Sequence, residues 1–575
     1  MKDITFTTSD CISKPLEVVK TLIGESNSAE ASSKKEYDVP TFFQNVFATE
    51  ESMFEIPSLN DTHFSDIPHC TLVRFRAMIQ NTGLGHEMFV SSYETLGHDG
   101  HKQWKFNKYS DDMDVKDEIL DLNAPGNQFD ERHLYYCNYA YKKRDSSSIG
   151  IESSIEAIVR STANLNLNND KGTNIGLEKL ASKFPFPNED HVAAIVKIYD
   201  KDDSLKVTDV VEFIGVLAHP SNEMDSQGDE FSLDAVFSSI PCLHAIFYRN
   251  VYPSGNPLES RLTDLNVIQS QANRTRSSLL QYISSALGGD ELVAEFVLLQ
   301  LLSRIYNRRN GLTLGKLVLN ISNVPSTCIN TEENSLSSGL IHSNQYSKRI
   351  AAVLESLLPK YHDLPLTLST LNELYYYPRS NEELDSGVFQ VSQGTWFLID
   401  ETVMKEGKLG DIGVRNLQVL NEILDNQKLK YTFPFNDFEL ETDIGVIILS
   451  DAKSFLPVDC IIPLLGNPEE TLMLDVREDL LIEFRNYLSI LRCAEFSIPD
   501  DVSEYIQNEF VRQRKNASIS GHPLMTQADL LLRMTLARLV TLSFGRLELT
   551  TELWDYTQKL DEQRKQRIVN FEQRP

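Results

Sequence analysis

Apolar and polar side chains alternate with a period of two through much of the first half of the chain. In the stretch LVRFRAMI (72–79), for example, Val73, Phe75 and Ala77 are separated by Arg74 and Arg76. Such alternation is typical of strands that bury one face. Gly, His, Asp and Asn separate the alternating stretches, as turn residues do. The pattern therefore predicts strands at residues 72–79, 88–94, 102–109, 134–141, 192–199 and 210–217.

A long polar insert interrupts these strands. Residues 142–190 are rich in Ser, Asn, Asp and Lys and poor in apolar residues, so a flexible loop is expected there. Gly215, inside the last strand, indicates a bulge or a tight bend. Short curved strands on both sides of an insert favour an OB-like β-barrel over 37–217. We expect a helical segment at 1–36 before it, and an acidic linker with a re-entry segment at 218–270 after it.

Helical spacing of apolar residues dominates the second half of the chain. The apolar residues Ile350, Val353, Leu354 and Leu357 lie on one helical face. Short apolar runs at 315–322 and 444–450 alternate with such helices, which is typical of a parallel sheet covered by helices. The pattern predicts an α/β domain at 271–500 and a C-terminal helical region at 501–575. Thr526 is the expected N-cap of one C-terminal helix.

Composition and charge narrow the possible functions. The chain has 575 residues and a formal net charge of −29, which disfavours binding of nucleic acid through a basic face and favours a basic protein partner. The seven cysteines form no CxxC pair, and this favours a reducing compartment. Since the sequence shows neither a secretory signal nor a long apolar run, it predicts a soluble intracellular protein without a membrane span.

The stretch 396–401 carries the strongest candidate chemistry. An apolar run, 396–399, ends in Asp400 and Glu401. A strand that ends in Asp-Glu is how P-loop ATPases hold Mg²⁺ and polarise an attacking water. One hypothesis is therefore an active ATPase. The alternative is a buried strand that stops at an acidic loop, because so short a motif is common.

The turn before residue 291 invites comparison with the phosphate-binding pattern G-x-x-x-x-G-K-[ST]. The positions of the first glycine, the second glycine, the lysine and the hydroxyl are taken by Gly289, Ala294, Glu295 and Phe296. Glu295 would repel the phosphates that a lysine neutralises, and Phe296 cannot bind Mg²⁺. Alternatively, Asp290 is the N-cap of an ordinary buried helix that begins at Glu291.

An aromatic run beside a small basic cluster suggests a third possibility, single-stranded nucleic acid bound by the barrel. OB folds bind single strands with aromatic platforms and basic grooves. The residues concerned are Tyr135, Tyr136, Tyr139, Tyr141, Lys142, Lys143 and Arg144. The alternative is that the tyrosines pack as ordinary strand residues, and the acidic surroundings favour it.

The order of these segments resembles the AAA+ domain of the mini-chromosome maintenance (MCM) helicase subunits. The sequence LIDE, 398–401, resembles their Walker B strand, and 421–427 resembles the helix that follows it. Their sensor asparagine would fall near Ser450 or Asp451, and their sensor arginine near Ala528. The resemblance therefore implies a degenerate domain in which Asp400 and Glu401 are vestigial, as are Gly289, Asp290, Ala294, Glu295 and Phe296.

The chain as a whole is similar to the MCM complex-binding protein family, called ETG-type in plants. The segments that carry this resemblance are LVRFRAMIQ (72–80), LDLNAP (120–125), VKIY (196–199), EFIGVL (212–217), TLGKLVLNIS (313–322), FLIDET (397–402), FLPVDC (455–460) and FVRQRK (510–515). The resemblance implies a nuclear, non-catalytic partner of MCM helicase subunits that reaches chromatin through them. It implies a role in DNA replication and sister-chromatid cohesion, without a cofactor and without direct nucleic-acid binding.

Overall fold

The computed structural model divides the chain into two compact units. Unit 1 comprises Met1–Ser254 and Pro378–Ser392, and unit 2 comprises Gly255–Tyr377 and Gln393–Pro575. The structure describes residues 6–28, 38–96, 102–113, 119–120, 124, 126–140, 185, 191–200, 205–220, 240–251, 258–309, 311–325, 345–380, 384–433, 436–467, 472–520 and 526–573. The predicted insert, 142–190, lies outside these residues except for residue 185.

Unit 1 begins with four short helices. They are α1 Thr8–Ser13, α2 Pro15–Ser28, α3 Val39–Val46 and α4 Glu50–Phe54. Thr7 caps α1 with a reciprocal side-chain bond to Asp10, an arrangement that satisfies donors which a helix start leaves unpaired. Apolar residues of α2 and α3 pack with Ile214, Val216 and Ile246 in one buried cluster. These helices therefore cover one face of the strands that follow.

The eight strands of the first part of unit 1 are β1 Leu72–Asn81, β2 His86–Leu96, β3 Lys102–Phe106, β4 Ile119–Leu120, β5 Gln128–Ala140, β6 His191–Ile198, β7 Val210–Ala218 and β8 Cys242–Asn250. Seven of them are ordered β1-β7-β8-β6-β5-β2-β3, β4 pairs with β2, and β1 also pairs with β5. This last pairing closes β1, β7, β8, β6 and β5 into a ring. Only β6 and β8 pair in parallel within the ring. Closure removes the exposed edges that an open sheet would present.

Side chains that point into the ring form the core of unit 1. Val73, Phe75 and Ala77 alternate along β1 and are fully buried. Gly215 lies at an irregularity in the β7–β8 register, where an added Cβ would come within 2.2 Å of the His244 carbonyl oxygen. The bulge predicted at Gly215 is therefore confirmed, because only a residue without Cβ allows this close approach.

The remaining strands are β9 Asn307–Arg309, β10 Leu312–Leu314, β11 Leu319–Ser322, β12 Tyr361–Pro365, β13 Arg379–Ser380, β14 Leu384–Asp385, β15 Trp396–Asp400, β16 Lys428–Thr432, β17 Asp437–Glu441, β18 Gly445–Leu449 and β19 Cys460–Pro463. Five of them form a parallel sheet in the order β12-β15-β18-β11-β19. Numbered by their sequence within this sheet, the order is 2-3-4-1-5.

The segment that carries β13 and β14 belongs to unit 1 although its neighbours in sequence belong to unit 2. Gln80, at the end of β1, donates to the Ser386 hydroxyl over 2.6 Å. Gln390 donates to the Gln80 carbonyl oxygen over 2.9 Å, and both glutamines are buried. The chain thus returns to unit 1 to satisfy polar groups that β1 buries.

The helices of unit 2 are α5 Leu258–Ala286, α6 Glu291–Leu302, α7 Gln345–Leu357, α8 Leu368–Glu373, α9 Asp411–Asn426, α10 Glu478–Cys493, α11 Asp500–Ser520, α12 Gln527–Ser543 and α13 Thr551–Glu572. One large apolar cluster joins α5, α6, α7, α10 and α12 to the parallel sheet. Thr526 caps α12 and exchanges hydrogen bonds with Asp529, which confirms its predicted role.

Within the described residues, no helix has the length and apolar content that a membrane crossing requires.

The mixed α/β architecture that the sequence predicts is confirmed. The described strands of unit 1 and the alternating strands and helices of unit 2 both follow the predicted periods. The predicted linker and re-entry range, 218–270, contains β8, which lies between β7 and β6 in the sheet of unit 1.

Candidate functional site

The strand β15 brings the acidic pair to the carboxyl edge of the parallel sheet. All its residues are buried, because β12 and β18 pair with it on either side. The connection after β11 leads past β18 and β15 to β12, whereas the connection after β18 leads past β11 to β19. The connections that leave the adjacent strands β11 and β18 therefore run in opposite directions. In open α/β sheets, ligands bind outside the carboxyl ends of the strands at such a reversal. This edge is therefore the candidate site.

The Asp400 carboxylate is held by the loop that follows it. Its Oδ1 accepts a hydrogen bond from the Thr402 N–H over 2.9 Å and another from the Thr402 hydroxyl over 2.6 Å. An aspartate commonly bonds the backbone two residues ahead in this way to form a turn. Asp400 is only 4% exposed. The neutral donors of Thr402 thus occupy an oxygen that a metal ion would otherwise contact.

Glu401 is held from the loop after β18. Its N–H donates to the Leu449 carbonyl oxygen over 2.9 Å, and its Oε1 accepts from the Ser454 hydroxyl over 2.6 Å. Burial raises the pKa of Glu401 to about 7, and the hydrogen bonds from Ser454 and the Phe455 N–H oppose this shift. A carboxyl group with a pKa of about 7 is protonated about half of the time at neutral pH, and its protonated form binds a divalent cation poorly because the ligand is the carboxylate.

A buried amide on β11 completes this edge. Asn320 is fully buried, and its Nδ2 donates to the Ser450 hydroxyl over 2.8 Å and to the Ile448 carbonyl oxygen over 3.2 Å. Its Oδ1 has no hydrogen-bond partner among the described residues. The resemblance to the MCM helicase subunits implies a sensor asparagine near Ser450, after β18. The structure instead has Asn320 on β11, the strand beside β18. The polar residue within the apolar run LVLNIS was the signal that sequence reasoning missed.

The first two backbone N–H groups after β11 are hydrogen-bonded within the protein and do not point at a site for phosphate. The Asn323 N–H donates to the Asp451 carbonyl oxygen and the Val324 N–H to the Ser450 carbonyl oxygen, each over 3.0 Å. A phosphate-binding loop needs successive N–H groups that point at the ligand. The sequence 323–344, which leads from β11 towards α7, contains neither lysine nor arginine. The first lysine and arginine after β11 are Lys348 and Arg349, which lie near the beginning of α7 and not in the loop.

The residues compared with a phosphate loop lie elsewhere in unit 2. Gly289, with φ of +83°, belongs to a turn between α5 and α6, so a helix rather than a strand precedes it. Ala294 and Phe296 are fully buried in α6. Glu295 forms an ion pair with Arg276. In the described part of the chain, none of these residues hydrogen-bonds to the acidic pair of β15.

Asp290 is the N-cap of α6, as the alternative interpretation predicts. Its carboxylate accepts from the Val293 N–H over 3.2 Å and from the Leu465 N–H over 2.9 Å. Arg567 of α13 forms an ion pair with it over 2.7 Å. A helix N-terminus favours a negative charge. Here the chain's own carboxylate occupies that position.

The tyrosines proposed as a nucleic-acid platform are partly accounted for by packing. Tyr135 and Tyr136 are buried in the sheet of unit 1, so the ordinary-packing interpretation is confirmed for both. The remaining candidates have side chains outside the described residues: Tyr139, Tyr141, Lys142, Lys143 and Arg144.

Among the described residues of unit 1, two groups combine side chains suited to a metal ion. His69, Cys70 and Asp112 place their ligand atoms within 4.8 Å of one another. The second group is Asp111, Cys242 and His244, and its Asp111 already accepts two bonds of 2.9 Å from Lys197. In each group the aspartate lies far along the sequence from the other two members. Spacing along the chain therefore could not reveal either group.

A family model and several individual proteins match this chain over most of its length. The family model described as "Mini-chromosome maintenance replisome factor" matches residues 43–138 and 142–568. Proteins named "Mini-chromosome maintenance complex-binding protein" are 27% identical in Salmo salar, over 97% of each chain, and 27% in Arabidopsis thaliana, over 97% of this chain and 99% of the relative. The relative in Drosophila melanogaster is 29% identical, over 90% of this chain and 93% of its own. Because the family model covers most of its residues, this chain belongs to the Mini-chromosome maintenance replisome factor family.

Proposed function

We propose that this chain is a non-catalytic factor that binds the MCM complex. The observation that carries the proposal is the family match. The relatives are named for binding that complex, and they match this chain over nearly their whole length. The net charge of −29 fits a partner with basic surfaces. We further propose a nuclear location, contact with chromatin through the MCM complex, and a role in DNA replication and sister-chromatid cohesion. Assembly, import or unloading of the complex would each serve that role.

We propose that unit 2 is a degenerate AAA+ domain. Three features support this relationship: the parallel order 2-3-4-1-5, the acidic pair at the end of the third strand, and the strand–loop–helix connection at the first strand. Asp400 and Glu401 would then be retained architecture. The absence of lysine and arginine from the loop 323–344 argues against phosphoryl transfer, which depends on neutralising the phosphates. In the same way, we propose that the ring of unit 1 is an OB-like barrel.

Reconstitution with purified MCM subunits tests the binding proposal. The full-length chain is mixed with each subunit and with subunit mixtures, and the mixtures are separated by size-exclusion chromatography. We expect co-elution with at least one subunit. Failure to co-elute with any MCM subunit or mixture would disprove the proposal.

Asp400→Asn separates binding from catalysis in the same preparation. The substitution keeps an oxygen that can accept from Thr402, so the fold and the co-elution are expected to persist. Neither the original chain nor the variant should turn over ATP. Turnover by the original chain that this substitution abolishes would instead establish the ATPase hypothesis.

A further inference from the structure

Three arginines gather at the amino edge of the parallel sheet, opposite the acidic pair. Arg304 follows α6, Arg492 lies in the last turn of α10, and Arg538 lies on α12. We call them the basal arginine cluster. In a chain with 29 more acidic than basic residues, such a concentration of positive charge requires an explanation.

Aromatic rings and one carboxylate hold this cluster. The guanidinium carbon of Arg492 lies 4.3 Å from the ring centroid of Trp396, and that of Arg538 lies 4.7 Å from the ring centroid of Tyr306. Asp443 accepts from Arg492 over 3.2 Å through one carboxylate oxygen. Its other oxygen accepts from the Ile305 N–H over 3.3 Å. The Asp443 carboxylate is therefore engaged by groups other than Arg538.

Arg538 is a buried cation that forms no ion pair with an acid among the described residues. The residue is 5% exposed, and its Nη1 has no hydrogen-bond partner among the residues that the structure describes. Burial lowers the pKa of Arg538; Tyr306 and Asp443 oppose this effect, and the charges of Arg304 and Arg492 add to it. Leaving a buried charged donor unpaired is costly, and a cation–π contact offsets only part of that cost. An anion bound to the free Nη1 donor of Arg538 would remove the remaining cost.

We propose that Arg538 binds one oxyanion, either a phosphate ion or the carboxylate of another protein, beside the ring of Tyr306. A guanidinium presents paired N–H donors that match two oxygens of such a group. Tyr306 is 57% exposed and its ring lies over the Arg538 guanidinium, so an anion enters when this ring turns aside. The acidic surface of the chain disfavours longer polyanions, which restricts the ligand to a single anionic group. This inference does not depend on MCM binding.

Thermal unfolding of the full-length chain in sodium phosphate tests the site. Phosphate is titrated in the millimolar range at constant ionic strength, with chloride as the replaced anion, so that general salt effects stay equal. A ligand that binds only the folded chain raises Tm, by about 2 °C for a unit of this size when the anion is at about ten times its Kd. Sodium acetate forms the second arm. A larger response to phosphate identifies a phosphate site, and a comparable response to acetate identifies a carboxylate site.

Substitutions at Arg538 identify the residue responsible. Arg538→Met keeps much of the volume and removes the charge, so the response to both anions should disappear. Its Tm without added anion should match or exceed that of the original chain, because an unpaired buried charge is gone. Arg538→Lys keeps a charge but loses the paired donors, so it should fold and respond more weakly. Arg546→Met, at an exposed arginine, is the matched control and should respond as the original chain does.

Two results would overturn the site. The first is a Tm of the original chain that neither phosphate nor acetate raises above the chloride baseline. The second is an anion response that survives in Arg538→Met, since the anion would then bind elsewhere. If Arg538→Met folds poorly, the comparison of Arg538→Lys with the original chain decides, because a full response from the lysine variant would contradict recognition by a guanidinium.

Discussion

Neighbouring protein atoms bond several single carboxyl groups in unit 2. Asp400 bonds its own loop, Glu401 bonds Ser454, and Asp290 caps α6. Each group has its hydrogen-bond needs met by neighbouring protein atoms. A carboxylate that holds Mg²⁺ instead presents its oxygens to the ion and to water. The environment of these residues, rather than their identity, therefore separates structural from catalytic carboxylates.

Glu401 should make the stability of unit 2 depend on pH. Its pKa rises from 4.5 to about 7 on folding, so the folded chain holds this proton more tightly than the unfolded chain. The stabilisation is complete below about pH 4.5 and is lost as the pH rises through 7. We expect a loss of about 1–3 kcal/mol from this group, after allowance for partial solvent exposure.

Urea unfolding of Glu401→Gln at pH 5 and pH 8 measures that contribution. The amide keeps an acceptor for Ser454 and cannot ionise, so the variant should gain stability relative to the original chain as the pH rises. Glu406→Gln, at an exposed glutamate, provides the control. A constant difference between Glu401→Gln and the original chain at both pH values would contradict the prediction.

Asp290→Ala should destabilise unit 2 by about 2–4 kcal/mol. The change removes the N-cap bond, which is worth about 1 kcal/mol, and leaves Arg567 without its carboxylate partner. Asp290→Asn, which keeps a capping oxygen but loses the charge, should have a smaller effect. The measurement is chemical unfolding, with the exposed Asp501→Ala as control. An unchanged midpoint in Asp290→Ala would show that the cap does not stabilise α6.

At the scale of elements, the sequence predicts which stretches form strands better than how those strands are arranged. The strands β1 and β7 match the predicted stretches because each buries a face whose alternation is visible in the sequence. The order of the parallel sheet depends on contacts between distant residues, so periodicity does not contain it. The same limit explains why sequence spacing directed attention to Gly289, whereas the strand–loop–helix connection begins at Asn323.

At the candidate site, too, the sequence predicts the local element but not the contacts between distant residues. The apolar run that ends in Asp400 and Glu401 identified a real strand end from the sequence alone. Asn320, Thr402 and Ser454 could not be linked to it, because their roles depend on side-chain bonds across strands and loops. Whether the acidic pair is vestigial stays a prediction, which Asp400→Asn tests.

Gly215→Ala should disturb the pairing of β7 with β8. The new Cβ would lie 2.2 Å from the His244 carbonyl oxygen and 2.8 Å from the Ala245 Cα. Both obstacles are backbone atoms, so we expect a loss of about 3 kcal/mol, at the upper end for overpacking. Gly410→Ala is the control, since its nearest neighbouring atom would be 3.6 Å away. Comparison of the two unfolding midpoints tests the prediction, and equal midpoints would refute it.

For the whole molecule, the charge of −29 should affect how fast a partner arrives. If the MCM complex presents basic surfaces, long-range attraction accelerates association and salt screens it. We expect the association rate to fall about tenfold or more as sodium chloride increases from low to physiological concentration, with little change in the dissociation rate. Surface plasmon resonance on the reconstituted pair measures both rates. An association rate independent of salt would rule out electrostatic steering.

The return of the chain to unit 1 also has a consequence in time. Gln390 and the carbonyl group of Gln80 that it binds are 310 residues apart. At about 5–20 residues per second, a ribosome synthesises the donor roughly 15–60 s after the acceptor. During that interval the ring strands have emerged, yet the polar end of β1 still depends on water or on a chaperone. Unit 1 therefore completes its folding late in translation, and a fragment that ends at Ser254 lacks the residues it needs.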